Sequence, residues 1–120
     1  MKLYGIPKCN SVKKARDWLT LHNIEVEFHD FKKQGLDANT TTRWLEQWDF
    51  SALINRNGLT WRGLTESQKL AVKDNATALS LMMDKTSVIK RPLLEKNGQL
   101  LHVGYDEAVY EKIFNLKAST

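Results

Sequence analysis

The chain has one cysteine, Cys9, set in the polar run Lys8-Cys9-Asn10-Ser11. A thiol becomes a useful nucleophile only as its thiolate, and free cysteine titrates near ~8.5. Asn10 and Ser11 are residue types suited to a helix start. Such a start offers unpaired backbone N–H groups and the positive end of the helix dipole, and both favour an anion. With Lys8 alongside, this setting predicts a depressed thiol pKa at Cys9. The other role open to a lone cysteine is a small buried hydrophobe. The polar neighbours argue instead for a sulfur in contact with water.

Spacing separates the chemistries open to that sulfur. A dithiol redox centre needs Cys-x-x-Cys, and the stretch here reads Cys9-Asn10-Ser11-Val12. A phosphatase-type loop needs Cys-x5-Arg, but Ala15 holds that position and Arg16 comes one residue later. One residue turns a helical side chain by about 100°. One Cys with His22, His29 and His102 has no metal-ligand spacing, so no metal is expected, and His22 is expected on the inner edge of a helix. A lone thiolate can attack an electrophile but cannot resolve the adduct itself. Glutathione, as co-substrate rather than bound cofactor, is the abundant cytosolic thiol that can. The adduct is then a mixed disulfide or a thiol–oxyanion ester.

A strand and a helix must position Cys9. Leu3-Tyr4-Gly5-Ile6 reads as a short strand, and Pro7 cannot continue a central ladder. Val12, Ala15, Leu19 and His22 then recur at helical spacing, with Trp18 beside them and Lys13, Lys14, Arg16 and Asp17 on the other face. After Asn23, Val26, Phe28 and Asp30 alternate with Glu25, Glu27 and His29 as a strand does. Strand, helix, strand implies a right-handed crossover between two parallel strands.

Residues 38–84 have helical periodicity. Trp44, Leu45 and Trp48 form one stripe, and Asn55-Arg56-Asn57-Gly58 reads as a turn. Thr65-x-x-Gln68 reads as a capping box followed by Leu70, Ala71 and Val72. Asp74-Asn75 breaks that run, and Ala78, Leu79, Leu81, Met82 and Met83 mark a further helix. The Trp and Met stripes are expected in the core. Leu93-Leu94-Glu95-Lys96, Asn97-Gly98 and Gln99-Leu100-Leu101-His102-Val103 read as a hairpin with a two-residue turn. Asp106 can cap a last helix carrying Val109, Ile113 and Leu116, and the tail 117–120 is expected to fray. The order predicts an α/β chain on the thioredoxin plan: a four-stranded mixed sheet flanked by helices, with an all-helical insertion at about 38–84, in one domain over 1–120.

The plan places Arg91-Pro92, just before the third strand, opposite Cys9. A proline there can expose backbone to an extended thiol substrate, and Arg91 offers a fixed charge to an oxyanion, a glutathione carboxylate or the Cys9 thiolate. The alternative is a strand-starting proline beside a solvated arginine, and the isomer of the Arg91–Pro92 bond is left open. Arg56, Tyr4 and Lys8 are weaker candidates.

Composition sets the remaining bounds. The chain has 120 residues, 42% hydrophobic and 27% charged, as a soluble globular domain does. No run approaches ~18 apolar residues, so no membrane span is expected, and the N-terminus lacks a signal-peptide pattern. A single cysteine is consistent with a reducing cytoplasm. The net charge of +4 is spread along the chain, so no nucleic-acid partner is expected.

Tyr4-Gly5-Ile6-Pro7-Lys8-Cys9-Asn10-Ser11, with Gly58-Leu59-Thr60-Trp61-Arg62, Lys90-Arg91-Pro92-Leu93-Leu94 and Val103-Gly104-Tyr105, resembles the ArsC-like arsenate reductase family, and within it the YffB branch beside the Spx regulators. The resemblance covers residues 1 to about 116. It implies a catalytic pair of Cys9 and Arg91, with Lys8, Asn10, Ser11, Arg56 and Pro92 binding substrate or glutathione. In arsenate reductases of this type the thiolate attacks arsenate, and glutathione with glutaredoxin completes the reduction. Such enzymes hold the oxyanion with three arginines. Arg91 matches one, the second falls near Asn55-Arg56, and Val103 stands at the third. That departure fits a glutathione-dependent thiol reductase of the YffB branch better than an arsenate reductase; separately, a monomer is expected. The alternative is a Spx-like regulator that binds RNA polymerase without catalysis.

Overall fold

Pro7 has no backbone N–H to give a strand ladder, and the first strand stops before it. In the computed structural model, which describes residues 1–116, β1 spans Lys2–Gly5 and α1 spans Asn10–Leu21. The tail expected to fray lies outside the described residues. β2 (Glu27–Asp30) follows, then α2 (Ala38–Gln47), α3 (Phe50–Leu53), α4 (Leu59–Arg62), α5 (Glu66–Leu70) and α6 (Asn75–Asp84). A 3-10 turn over Thr86–Val88 leads to β3 (Leu93–Lys96), β4 (Gln99–Val103) and α7 (Glu107–Ile113). The chain divides into two units, Met1–Asp30 with everything from Arg91 on, and Phe31–Lys90.

The first unit is built on a four-stranded sheet in the order β2-β1-β3-β4. β1 is parallel to β2 and antiparallel to β3, and β3 and β4 are antiparallel, so the sheet is mixed as expected. Lys96 pairs with Gln99, which leaves Asn97 and Gly98 as the two-residue turn. Both take left-handed φ values, 51° and 82°, as a type I′ turn requires. Leu3 and Leu94 pack on one sheet face with Ala15, Trp18 and Leu19 of α1 and Tyr110 of α7.

Two expectations are corrected in this unit. His22 is exposed rather than on the inner helix edge: α1 ends at Leu21 and Asn23 turns the chain with a φ of 57°. Its imidazole lies against the indole of Trp18, with ring centres 4.2 Å apart. In α7, which the Asp106 carboxylate caps by accepting from the Val109 N–H at 3.3 Å, the fully buried residue is Tyr110. Leu116, expected on the helix stripe, falls beyond the last turn and is exposed.

The second unit carries five helices within 38–84, with Trp44, Leu45, Leu53, Ala78 and Met82 buried, but it is not all-helical as expected: Ile54 forms an antiparallel bridge with Ile89. Asn75 ties α6 to α2 by donating from Nδ2 to the Leu45 carbonyl at 3.1 Å. The expected capping box is present: Thr65 accepts from the Gln68 N–H, and the Gln68 side chain accepts from the Thr65 N–H. A second one, Asp74 with Thr77, makes the Asp74-Asn75 break the start of α6. The run Leu70-Ala71-Val72 does not extend α5, which ends at Leu70 and buries none of its residues. Thr65→Ala is expected to lower stability by about 0.5–1 kcal/mol in denaturant unfolding, because it strands one orphan donor of α5 at the surface.

Candidate active site

β1 and β3 run antiparallel with Tyr4 opposite Leu93. The residues that follow Gly5 and those that precede Leu93 therefore leave the sheet at the same end. That register brings Cys9 and Arg91 together from distant parts of the chain.

Cys9 is half-buried and serves as the N-cap of α1, with extended φ and ψ of −86° and 127°. Its carbonyl already accepts from the Lys13 N–H at 3.0 Å, and its own N–H bonds the Ile6 carbonyl at 3.3 Å. The first turn of α1 lies hard against β1. A Cβ added at Gly5 would stand 2.7 Å from Cγ2 of the fully buried Val12, so only glycine admits this approach.

Partial burial pushes the Cys9 thiol up, but three neighbours together outweigh it. These are the Val12 N–H, the Arg91 guanidinium acting by hydrogen bond and by charge, and the Ser11 N–H. Cys9 closes no cap hydrogen bond of standard geometry, so the amides act chiefly as aligned dipoles. The net effect holds the thiol below its ordinary value. The rate of alkylation of Cys9 against pH should therefore show a midpoint below that of free cysteine. Arg91→Ala should move that midpoint up, and Arg91→Lys should restore part of it, because the charge returns without the planar fork. The stability linked to the thiolate is present above the ordinary thiol pKa and is lost as pH falls through the lowered one.

Arg91 is half-buried and Pro92 is buried, and the bond between them is cis. The Pro92 carbonyl accepts from the Gly104 N–H at 2.8 Å, which ties this corner to the end of β4. Lys8, Asn10 and Ser11 are exposed around the sulfur. Tyr4 belongs to the sheet instead. It is buried, and its hydroxyl donates to Oε1 of Glu95 at 3.3 Å. Sequence reasoning passed over Glu95, a buried carboxylate, and the Val12 and Ser11 amides. Strand alternation carried a signal for Glu95, because it shares a face with buried Leu93.

Arg56 lies in the second unit, exposed in a turn closed by the Gly58 N–H to the Asn55 carbonyl at 3.2 Å. Its guanidinium sits 5.5 Å from the centre of the Trp61 ring. Val103, at the position of the third expected arginine, is buried in β4. Among the described residues, no cluster of three or more His, Cys, Asp or Glu could hold a metal. No helix among them is long and apolar enough to cross a membrane. A groove of about 730 Å³ between α1 and β2, lined by Arg16, Thr20, Asn23, Glu25 and Phe28 among others, includes neither Cys9 nor Arg91.

The sequence profile of the ArsC family matches residues 4–113. The chain belongs to the ArsC family. Among solved ArsC-like structures, the YFFB protein is 42% identical with a TM-score of 0.86, covering 92% of this chain and 96% of its own. An arsenate reductase (ArsC) related protein from Brucella melitensis is 46% identical with a TM-score of 0.75, covering 96% of this chain and 94% of its own. An uncharacterized protein of Haemophilus influenzae is 40% identical over 93% of this chain and 96% of its own length. At lower identity, the global transcriptional regulator Spx 1 of Lactococcus lactis is 30% identical over 88% of this chain and 81% of its own.

Proposed function

We propose that this ArsC-family chain is a glutathione-dependent thiol/oxyanion reductase in which Cys9 is the nucleophile. The observation that carries the proposal is the half-buried Cys9 sulfur between the Val12 and Ser11 amides and the Arg91 guanidinium, with its thiol held low. On a mixed disulfide, the Cys9 thiolate attacks the glutathione sulfur, the old S–S bond breaks, and the other thiol leaves as its thiolate. A second glutathione thiolate then attacks the Cys9–glutathione disulfide. It releases oxidised glutathione and returns Cys9 to the thiolate. Glutaredoxin is the alternative thiol donor for the second step.

Arg91 serves both halves of the cycle, by stabilising the Cys9 anion and by pairing with a glutathione carboxylate. Exposed Lys8, Asn10 and Ser11 and the Pro92 corner line the approach to the sulfur. Arg56 is left out of the cycle, because the Trp61 ring already engages its guanidinium. With Val103 in place of one arginine, an oxyanion such as arsenate should be the poorer substrate. The reaction needs no bound cofactor, draws on a cytoplasmic glutathione pool, and can be run by a monomer.

A coupled assay that follows oxidised glutathione, with a glutathionylated peptide and arsenate as parallel substrates, tests this. Turnover of the peptide above that of arsenate is expected, and no turnover of either ends the proposal. The Spx and MgsR relatives, regulators by name, favour a second reading in which the chain binds RNA polymerase. Co-purification with polymerase that is unchanged by Cys9→Ala, in a chain without turnover, would establish it instead.

A further inference from the structure

We infer that the outer edge of α1's first turns receives the acidic flank of a protein cysteine held in mixed disulfide with glutathione. Lys8, Lys13 and Lys14 form that edge. The inference deepens the reductase proposal and rests on it for the chemistry, but the binding can be measured without any turnover.

From Pro7 to Asp17 the chain carries Lys8, Lys13, Lys14 and Arg16 against the single acid Asp17. All five are exposed. Arg16 is drawn off to one side, where its guanidinium lies 4.1 Å over the ring of Phe28. The side chains of Lys8, Lys13 and Lys14 hold no hydrogen bond or ion pair among the described residues. The Lys13 N–H bonds the Cys9 carbonyl at 3.0 Å, so Lys13 stands one helical turn beyond the sulfur-bearing residue on the same side of α1. Lys8 is exposed just before the sulfur-bearing residue in the chain, and Asp17 lies one helical turn beyond Lys13.

The cation that acts on the sulfur is Arg91. The three lysines are therefore not among the groups that hold the thiolate, and they stand exposed within five residues of it in the chain. Ammonium groups on flexible stems attract carboxylates without demanding one geometry, which suits a flank of varied sequence. A single-stranded nucleic acid would want an aromatic platform for its bases. The nearby indole of Trp18 is buried against Tyr110 and offers none. In the step itself the Cys9 thiolate bonds to the glutathione sulfur, and the acidic protein leaves as its thiolate. The glutathione carboxylates stay with Arg91, so the two halves of the substrate are held by different cations.

The test uses the full chain carrying Cys9→Ser, which cannot react, and labelled glutathionylated peptides that differ only in having several Glu or several Lys around the cysteine. Fluorescence anisotropy at low salt should give about tenfold tighter binding of the acidic peptide. That ratio should fall most of the way to one in a Lys13→Gln/Lys14→Gln protein, which keeps only Lys8 of the edge, and approach one in about 0.5 M salt. Equal binding of the two peptides overturns the inference. So does a preference that survives the double substitution, or displacement of the acidic peptide by an oligonucleotide of equal charge. With Cys9 restored, selective binding without turnover removes the reductase proposal and leaves the docking edge standing. Equal kcat/KM for both peptides does the reverse.

Discussion

Cys9→Ser is expected to lower glutathione-dependent turnover by about a thousandfold or more while the protein stays folded. In the proposed cycle the Cys9 sulfur carries the transferred glutathione, and a serine hydroxyl is not ionised near neutral pH. The Arg91 guanidinium and the α1 amides can favour an anion, but they cannot close a gap of several pKa units between an alcohol and a thiol. Stability should hold, because Cys9 is an N-cap without a cap hydrogen bond and serine is a preferred residue there. Steady-state rates and denaturant unfolding on the same preparation separate the two effects. Full turnover by a folded Cys9→Ser protein would remove the thiolate from the chemistry altogether.

The second large effect lies away from the sulfur. Gly5→Ala should destabilise the protein by roughly 1–3 kcal/mol and move the Cys9 titration upward. The new Cβ would meet Cγ2 of Val12 at 2.7 Å. Val12 is fully buried and β-branched, so its side chain has little rotamer freedom with which to retreat. The first turn of α1 must give way instead, and the Val12 and Ser11 amides that favour the Cys9 anion move with it. Val12→Ala alone should cost a comparable amount by leaving a void. Combined, the two substitutions should cost less than their sum, because each relieves what the other imposes. Strict additivity in unfolding, or a Cys9 midpoint unmoved by Gly5→Ala, would show that this contact does not position the thiol.

Local chemistry made much of this fold readable in advance. Asn97-Gly98 can adopt the paired left-handed conformations that few other dipeptides tolerate, so the hairpin and its register followed from two residues. Thr65 and Gln68 named their own helix start, and the β-α-β opening named a parallel pair. What escaped was set by burial of side chains with divided character. Tyr110 has an apolar body that fills the core beneath α7, and periodicity built on Val109, Ile113 and Leu116 passed it over. His22 looked like the end of an apolar stripe, but its backbone had already left the helix.

At the site, Cys9 and Arg91 could be paired from the strand order alone. The Val12 and Ser11 amides could not be singled out, because backbone groups leave no mark in side-chain types. Nor could the direction of Arg56, whose turn said that a charge was exposed without saying that an indole would take it up.

The register of β1 against β3 has a consequence for how such proteins can diversify. The thiol and the guanidinium are aligned by a few rungs between neighbouring strands, Lys2 with Glu95, Leu3 with Leu94 and Tyr4 with Leu93. None of those rungs draws a residue from Phe31–Lys90. Substitutions in that middle stretch can therefore accumulate without shifting the strand register that aligns Cys9 with Arg91.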